Sequence, residues 1–244
     1  MPELPEVETI RSQLQKKIVG KSISGRRIVG LRRRAKILII DFDDAKSLIF
    51  HLKMTGQLIL NGKPSKHTRK VFNFDDGSRL VFNDARKFGW WKEVKDTKEI
   101  EEKFGPEALK VSLQAFKSLL AERKKSRIKP LLMDQRIIAG IGNIYSDEIL
   151  YAAKVNPLRR VETLSSAEIE KIFRSMKKIL AAAIKHRGSS VEYYFDACGK
   201  KGDFVKFHKV YQKEGQKCGR CGALIKRIKI NGRSAHFCPV CQKL

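Results

Sequence analysis

A chain of 244 residues has room for about two domains, and a hydrophobic fraction of 42% supports buried cores, which excludes wholesale disorder. Its 52 Lys+Arg against 26 Asp+Glu leave a formal charge of +26, an excess that concentrates phosphate polyanions and speeds encounter with them. No continuous apolar stretch approaches a membrane span, no secretion signal or lipidation motif is present, and no isolated basic amphipathic helix favours a membrane surface, so the expected compartment is the cytoplasm.

The opening Met1-Pro2-Glu3-Leu4-Pro5-Glu6-Val7-Glu8 leads into a helix whose first turn admits Pro5, with Val7, Ile10, Leu14 and Ile18 as one buried stripe. Removal of the initiator methionine would make Pro2 a free secondary amine, a group with a reference pKa of about 7.7–8.0. Such an amine can attack a sugar C1′, displace a base and form an iminium adduct. Glu3, beside it, can donate or accept a proton, and Glu6 can organise the amine electrostatically. The competing reading is structural: Pro2 and Pro5 shape a terminus while Glu3 and Glu6 favour the positive end of a helix.

From Lys21 the period shortens. Ser22–Val29, Ala35–Asp41, Ser47–Leu52, Gln57–Leu60, Val71–Phe74 and Arg79–Phe82 read as short strands, some separated by Gly56, Gly62 and the Asp75-Asp76-Gly77 turn. Repeated short strands predict a β-sandwich, but not its pairing order. A helical region follows. Ser112–Lys124 carries Leu113, Phe116, Leu119 and Leu120 on one face. Ser166–His186 turns Ile169, Ile172, Phe173, Met176, Ile179, Leu180 and Ala183 toward a core, with Ser165 and Glu168 as a capping box and Gly188 as a stop. Between them, Ile138-Ala139-Gly140-Ile141-Gly142-Asn143-Ile144-Tyr145 interrupts helical periodicity. Its glycines permit a tight turn, and Asn143 is expected to cap the next helix, whose first amides would face a phosphate. A bare G-x-G without a βαβ pattern is not a dinucleotide site.

The chain closes with Cys218-Gly219-Arg220-Cys221 and Cys238-Pro239-Val240-Cys241, two pairs separated by sixteen residues. In a reducing compartment such pairs wrap one tetrahedral Zn²⁺, with iron the lesser alternative. Four protein ligands leave no open position for substrate, so the ion holds shape rather than catalyses. Cys198 falls outside the set. The last 46 residues, Gly199–Leu244, hold 12 Lys+Arg against 2 Asp+Glu, and metal binding can supply their folding free energy. Arg233, in the Asn231-Gly232-Arg233 turn, is the leading candidate for a phosphate-facing tip, with Arg227 and Lys229 nearby.

Several segments together resemble the formamidopyrimidine-DNA glycosylase family, the Fpg/MutM branch of the Fpg/Nei DNA glycosylases. They are Pro2-Glu3-Leu4-Pro5-Glu6-Val7-Glu8-Thr9, Arg34-Ala35-Lys36, His51-Leu52-Lys53-Met54-Thr55-Gly56, Asn83-Asp84-Ala85-Arg86-Lys87-Phe88-Gly89, Lys129-Pro130-Leu131-Leu132-Met133-Asp134, Gly140–Tyr145 and the terminal cysteines. The resemblance implies an α+β fold: an N-terminal β-sandwich with an N-terminal helix over residues 1–100, a helix–two-turn–helix domain over 101–205 and a zinc ribbon over 206–244. It implies a monomeric bifunctional DNA glycosylase/AP lyase, nucleoid-associated when engaged, that excises formamidopyrimidines and 8-oxoguanine from double-stranded DNA and also acts at abasic sites. It assigns the nucleophile to Pro2, the acid/base to Glu3, a charge that assists base removal to Lys36, and electrostatic support to Glu6. Met54, Arg86 and Phe88 become the damage-probing set. Asn143 and Arg233 become phosphate grips, and His67, Lys129 and Lys200 further DNA contacts. One structural Zn²⁺ per chain falls to Cys218, Cys221, Cys238 and Cys241. The alternatives are a Nei-like enzyme for oxidised pyrimidines and a catalytically silent damaged-DNA-binding protein. Two departures stand out: a shortened Gly20–Arg34 segment, and a loop over residues 195–204 that lacks the familiar proline, where Gly199 and Gly202 suggest mobility.

Overall fold

Helix α1 (Leu4–Ile18) carries Pro5 in its first turn, where no intrahelical amide is lost, and buries Val7, Ile10, Leu14 and Ile18 completely. That stripe packs on a five-stranded antiparallel sheet made of β1 (Ser22–Ile23), β2 (Arg26–Arg34), β3 (Ile37–Phe42), β4 (Ser47–His51) and β8 (Trp90–Val94), in that order. A second sheet holds β5 (Gly56–Leu60), β7 (Arg79–Asp84) and β6 (Thr68–Asn73), with β7 central. Residues of both sheets share one core: Leu38 and Phe50 from the first, Leu58, Phe72 and Phe82 from the second. Phe50 meets Phe72 and Phe82 edge-on, with centroids 5.5 and 6.0 Å apart. This is the predicted sandwich.

The single strand predicted over Ser22–Val29 is instead a hairpin. Ser24 and Gly25 take φ of 51° and 78°, the double positive turn that matches strand twist, and Ile23 pairs with Arg26. Ala35, predicted to begin a strand, lies in the β2–β3 turn with φ 53°. Strand β8 was not predicted. Its partner β4 is nearly all buried, whereas Lys92 and Glu93 of β8 are exposed, so an edge strand this short shows little apolar alternation.

The computed structural model describes residues 1–244, which divide into two units, Met1–Lys103 with Ala183–Lys206, and Phe104–Ala182 with Phe207–Leu244. The second contains α3 (Leu113–Ala121), α4 (Ile128–Met133), α5 (Asn143–Ala153), most of α6 (Ser166–Lys185), and a hairpin of β9 (Lys226–Ile230) and β10 (Arg233–Phe237). Ser112 caps α3 rather than beginning it, its Oγ accepting the Ala115 N–H at 3.2 Å. The Ser165–Glu168 capping box forms as predicted: the Ser165 N–H donates to Glu168 Oε2 at 2.8 Å, and the Glu168 N–H to Ser165 Oγ at 3.2 Å. A four-residue helix, α2 (Lys98–Glu101), completes the first unit. No helix is long and apolar enough to cross a membrane.

Candidate active site and nucleic-acid interface

Pro2 is buried, and Glu3, at the start of α1, is only 2% exposed. Glu6 Oε2 accepts the Glu3 N–H at 2.8 Å, and its Oε1 accepts the Ser189 N–H at 2.7 Å. One buried carboxylate therefore joins the helix start to the turn at Gly188, where a Cβ would come within 2.7 Å of Glu6 Oε1. Glu6 acts here on backbone geometry, holding two amides with one carboxylate. Lys36 follows the left-handed Ala35 and is 5% exposed. Arg33 ties that turn to α1: its Nε donates to Glu8 Oε2 at 3.0 Å and its Nη1 to the Ala35 carbonyl at 2.8 Å. Burial, and then the charges of Lys53 and Lys36, push the His51 pKa down to about 3, so the ring is neutral and its Nδ1 accepts the Lys53 N–H at 3.0 Å.

The expected damage-probing residues stand on two neighbouring loops. Met54 is half-buried in the turn before β5; Arg86 is exposed and Phe88 is 55% exposed after β7. The Arg86 guanidinium lies 4.9 Å from the Phe88 ring centroid. Buried Asp84 lies beneath both loops, accepting from the Thr55 hydroxyl and from the Arg86 and Gly89 amides. His67 and Lys200 are exposed. Lys200 belongs to a loop organised by fully buried Asp196, which accepts the Cys198 and Lys200 N–H groups at 3.0 and 2.9 Å and the Gln13 side-chain amide at 3.0 Å. Gly202 serves close approach rather than freedom: a Cβ there would lie 2.3 Å from the Arg187 and Gly188 carbonyl oxygens.

In the second unit, Gly142 rather than Asn143 is the N-cap of α5, with extended φ −132° and ψ −150°. Asn143 is already helical, which corrects the capping role predicted for it, and its buried Oδ1 accepts no hydrogen bond from the protein. Gln135 stitches the preceding loop, donating to the Met133 and Ile141 carbonyls and accepting the Gly140 N–H. Lys129 also needs correction as a DNA contact. It is 1% exposed, and its ammonium is spent internally on Asp147 Oδ1 at 2.5 Å and the Ser234 carbonyl at 2.8 Å. The other Asp147 oxygen accepts the His236 backbone N–H at 3.0 Å and lies 2.9 Å from His236 Nδ1. Asn143, Tyr211, Arg227, Ser234 and His236 line an open depression of about 370 Å³. Arg233 is exposed beyond Asn231 and Gly232, whose φ of 48° and 75° make the two-residue turn joining β9 to β10.

The sulfurs of Cys218, Cys221, Cys238 and Cys241 all lie within 4.8 Å of one another. The Cys218–Cys241 and Cys221–Cys238 separations are 3.9 and 3.4 Å, bracketing the edge of about 3.8 Å that a tetrahedron of Zn–S bonds near 2.3 Å requires. The donor set fits one structural Zn²⁺. Arg220 and Cys241 amides point at Cys218 and Cys238 sulfur, at 3.5 and 3.4 Å, which favours thiolates. Tyr151 of α5 lies 3.3 Å from Cys218 Sγ through its hydroxyl, fastening the metal site to the helix.

A β-sandwich headed by a helix, a two-turn helical element and a four-cysteine ribbon together define a DNA glycosylase architecture, and comparison with known proteins makes it specific. Residues 21–91 match the formamidopyrimidine-DNA glycosylase N-terminal domain, residues 104–194 the H2TH domain of the same enzymes, and residues 215–244 the zinc finger found in FPG and IleRS. The formamidopyrimidine-DNA glycosylase of Carboxydothermus hydrogenoformans is 41% identical over 272 aligned positions, covering 100% of each chain. The solved complex of Lactococcus lactis Fpg with abasic-site DNA is 37% identical, with a TM-score of 0.91 over 99% of this chain and 100% of that one. A MutM in complex with carbocyclic 8-oxo-G containing DNA is 36% identical, with a TM-score of 0.91 and 100% coverage of both chains. The chain belongs to the formamidopyrimidine-DNA glycosylase family. Against the 272 aligned positions its 244 residues leave about 28 without a counterpart, so it is a shortened member.

Proposed function

We propose that this chain is a bifunctional DNA glycosylase and AP lyase that removes formamidopyrimidines and 8-oxoguanine from double-stranded DNA in the cytoplasm, at the nucleoid. The observation that carries this reading is a proline next to a buried carboxylic acid at the start of α1, with Glu6 holding the Glu3 backbone, in a member of this family. After loss of Met1, the Pro2 nitrogen attacks C1′ and the damaged base leaves with the glycosidic electron pair. The resulting iminium acidifies the C2′ proton. Glu3 moves protons during ring opening and elimination, and the Lys36 charge favours departure of the base. Successive β- and δ-elimination then break the strand on both sides of the sugar and leave phosphate ends.

Extruding the target nucleotide costs a few kcal/mol. Met54 fills the vacated space, Phe88 wedges into the stack and Arg86 addresses the orphan base, which offsets part of that cost. Asn143 and Arg233 grip phosphates, and exposed His67 and Lys200 supply further contacts. The zinc ion has no reacting partner; it holds the ribbon that presents Arg233.

Parallel single-turnover reactions on matched duplexes carrying formamidopyrimidine, 8-oxoguanine or thymine glycol test the reading. Excision of the two purine lesions with phosphate-ended gaps is expected. Preferential excision of thymine glycol would replace it with the pyrimidine-directed alternative, and tight lesion binding without excision would make the protein a silent binder.

A further inference from the structure

Asp84 is the last residue of β7, is 1% exposed, and forms no ion pair with a Lys, Arg or His side chain. A buried carboxylate is costly unless its oxygens are fully engaged. Here they are engaged by neutral donors from two loops. Oδ1 accepts the Thr55 hydroxyl and lies 3.3 Å from the Arg86 amide nitrogen, while Oδ2 accepts the Gly89 N–H at 2.6 Å. Thr55 Oγ1 also accepts the Arg86 N–H at 3.1 Å, so the two loops are cross-linked twice. The Asp84 N–H donates to the His67 carbonyl at 2.9 Å, which brings in a third segment.

These donors have a common feature. One adjoins Met54, one is Arg86 itself and one adjoins Phe88. Both loops are tight: Lys53 and Lys87 take φ of 49° and 60°, and a Cβ on Gly89 would lie 2.9 Å from both Asp84 Oδ2 and Phe82 Cζ. The exposed tips therefore have rigid feet. We infer that Asp84 is the positioning residue that sets Met54, Arg86 and Phe88 in register, so that all three enter the base stack together. This rests on the probing roles proposed above, and it deepens them by naming the group that couples them. A side chain driven between bases meets a restoring force from the stack. It keeps its place only if the supporting hydrogen bonds hold it to about half an ångström.

The test compares wild type, Asp84→Asn, Phe88→Ala and the double variant by single-turnover excision of 8-oxoguanine at saturating enzyme. A 2-aminopurine beside the lesion reports unstacking in the same duplex. Asp84→Asn is expected to slow both the fluorescence rise and excision by about 10- to 100-fold. In the Phe88→Ala background the same change should cost less than about threefold, because the register it protects has already lost its wedge. Thr55→Val, which removes one donor and leaves the charge, should act in the same direction more weakly, and it carries the test if Asp84→Asn does not fold. Independent, multiplying losses, or an unstacking rate within twofold of wild type, would overturn the inference. The fluorescence readout needs no bond cleavage. A wild-type protein that unstacks DNA but excises nothing would therefore refute the functional reading while still deciding the role of Asp84.

Discussion

Glu3 and Arg233 divide chemistry from grip. Glu3 is buried beside the candidate nucleophile, whereas Arg233 is exposed on a hairpin tip. Glu3→Gln should lower single-turnover excision by about 10²- to 10⁴-fold while leaving DNA affinity near wild type. Arg233→Ala should do the reverse across lesions, and equal losses of both quantities in both variants would dissolve the division. His51 gives a pH signature. Burial and the Lys53 and Lys36 charges hold its folded pKa at about 3, below the ordinary histidine value of 6.5. Between those values the unfolded chain binds a proton that the folded chain refuses, so stability is present above pH 6.5 and is lost as pH falls toward 3. His51→Asn keeps an acceptor for the Lys53 amide and should flatten the stability–pH curve in that window, as measured by urea unfolding. At this scale the four cysteines were legible because metal ligation depends on fixed spacing, whereas the roles expected of Pro2 and Glu3 came from the family resemblance rather than from adjacency alone. Asp84 lay inside a motif without an evident role, because its importance comes from the Thr55 hydroxyl on another loop meeting the Arg86 and Gly89 amides of its own. Lys129 misled for the same reason: its charge is answered by Asp147, eighteen residues away, and by the carbonyl of Ser234.

The ribbon hairpin depends on α5 for more than the metal. Asp147 joins Lys129 of α4 to His236 of β10, Lys129 in turn donates to the Ser234 carbonyl, and Glu148 accepts the backbone N–H groups of Lys209, Val210 and Tyr211 at 2.9–3.0 Å. Consecutive acidic residues on α5 thus fasten the hairpin and the segment leading into it. Asp147→Ala would remove the carboxylate that answers the buried Lys129 ammonium and should cost about 3–5 kcal/mol of stability in chemical denaturation. An unchanged midpoint would show that Lys129 finds water instead. Zinc chelation should abolish ribbon-dependent DNA binding while the α1 sandwich stays folded, read by near-ultraviolet dichroism of Trp90 and Trp91; full binding after metal removal would contradict the structural role. Elements with strong local signals were legible: α1, α6 with its capping box, and the Asn231-Gly232 turn. The β1–β2 hairpin was not, because Ser24 gives a weak turn signal. Strand β8 was missed because its identity depends on pairing with β4, a long-range fact.

Across the whole molecule, of the charges behind the net +26, those that reach phosphates set how binding responds to salt. Each neutralised phosphate steepens the fall of log affinity with log salt by about 0.9. Arg233→Ala should therefore reduce that slope by about 1. Lys129→Met, despite removing the same charge, should leave the slope unchanged, because its ammonium is buried and paired. Both units carry basic surface, and the first carries Pro2 beside the buried Glu3. Borohydride reduction during turnover on an abasic-site duplex, followed by peptide mapping, examines that amine directly. The expected result is one covalent DNA adduct on the nitrogen of Pro2, confined to chains that have lost Met1. An adduct on a lysine, or undiminished strand cleavage by chains that retain Met1, would contradict the account.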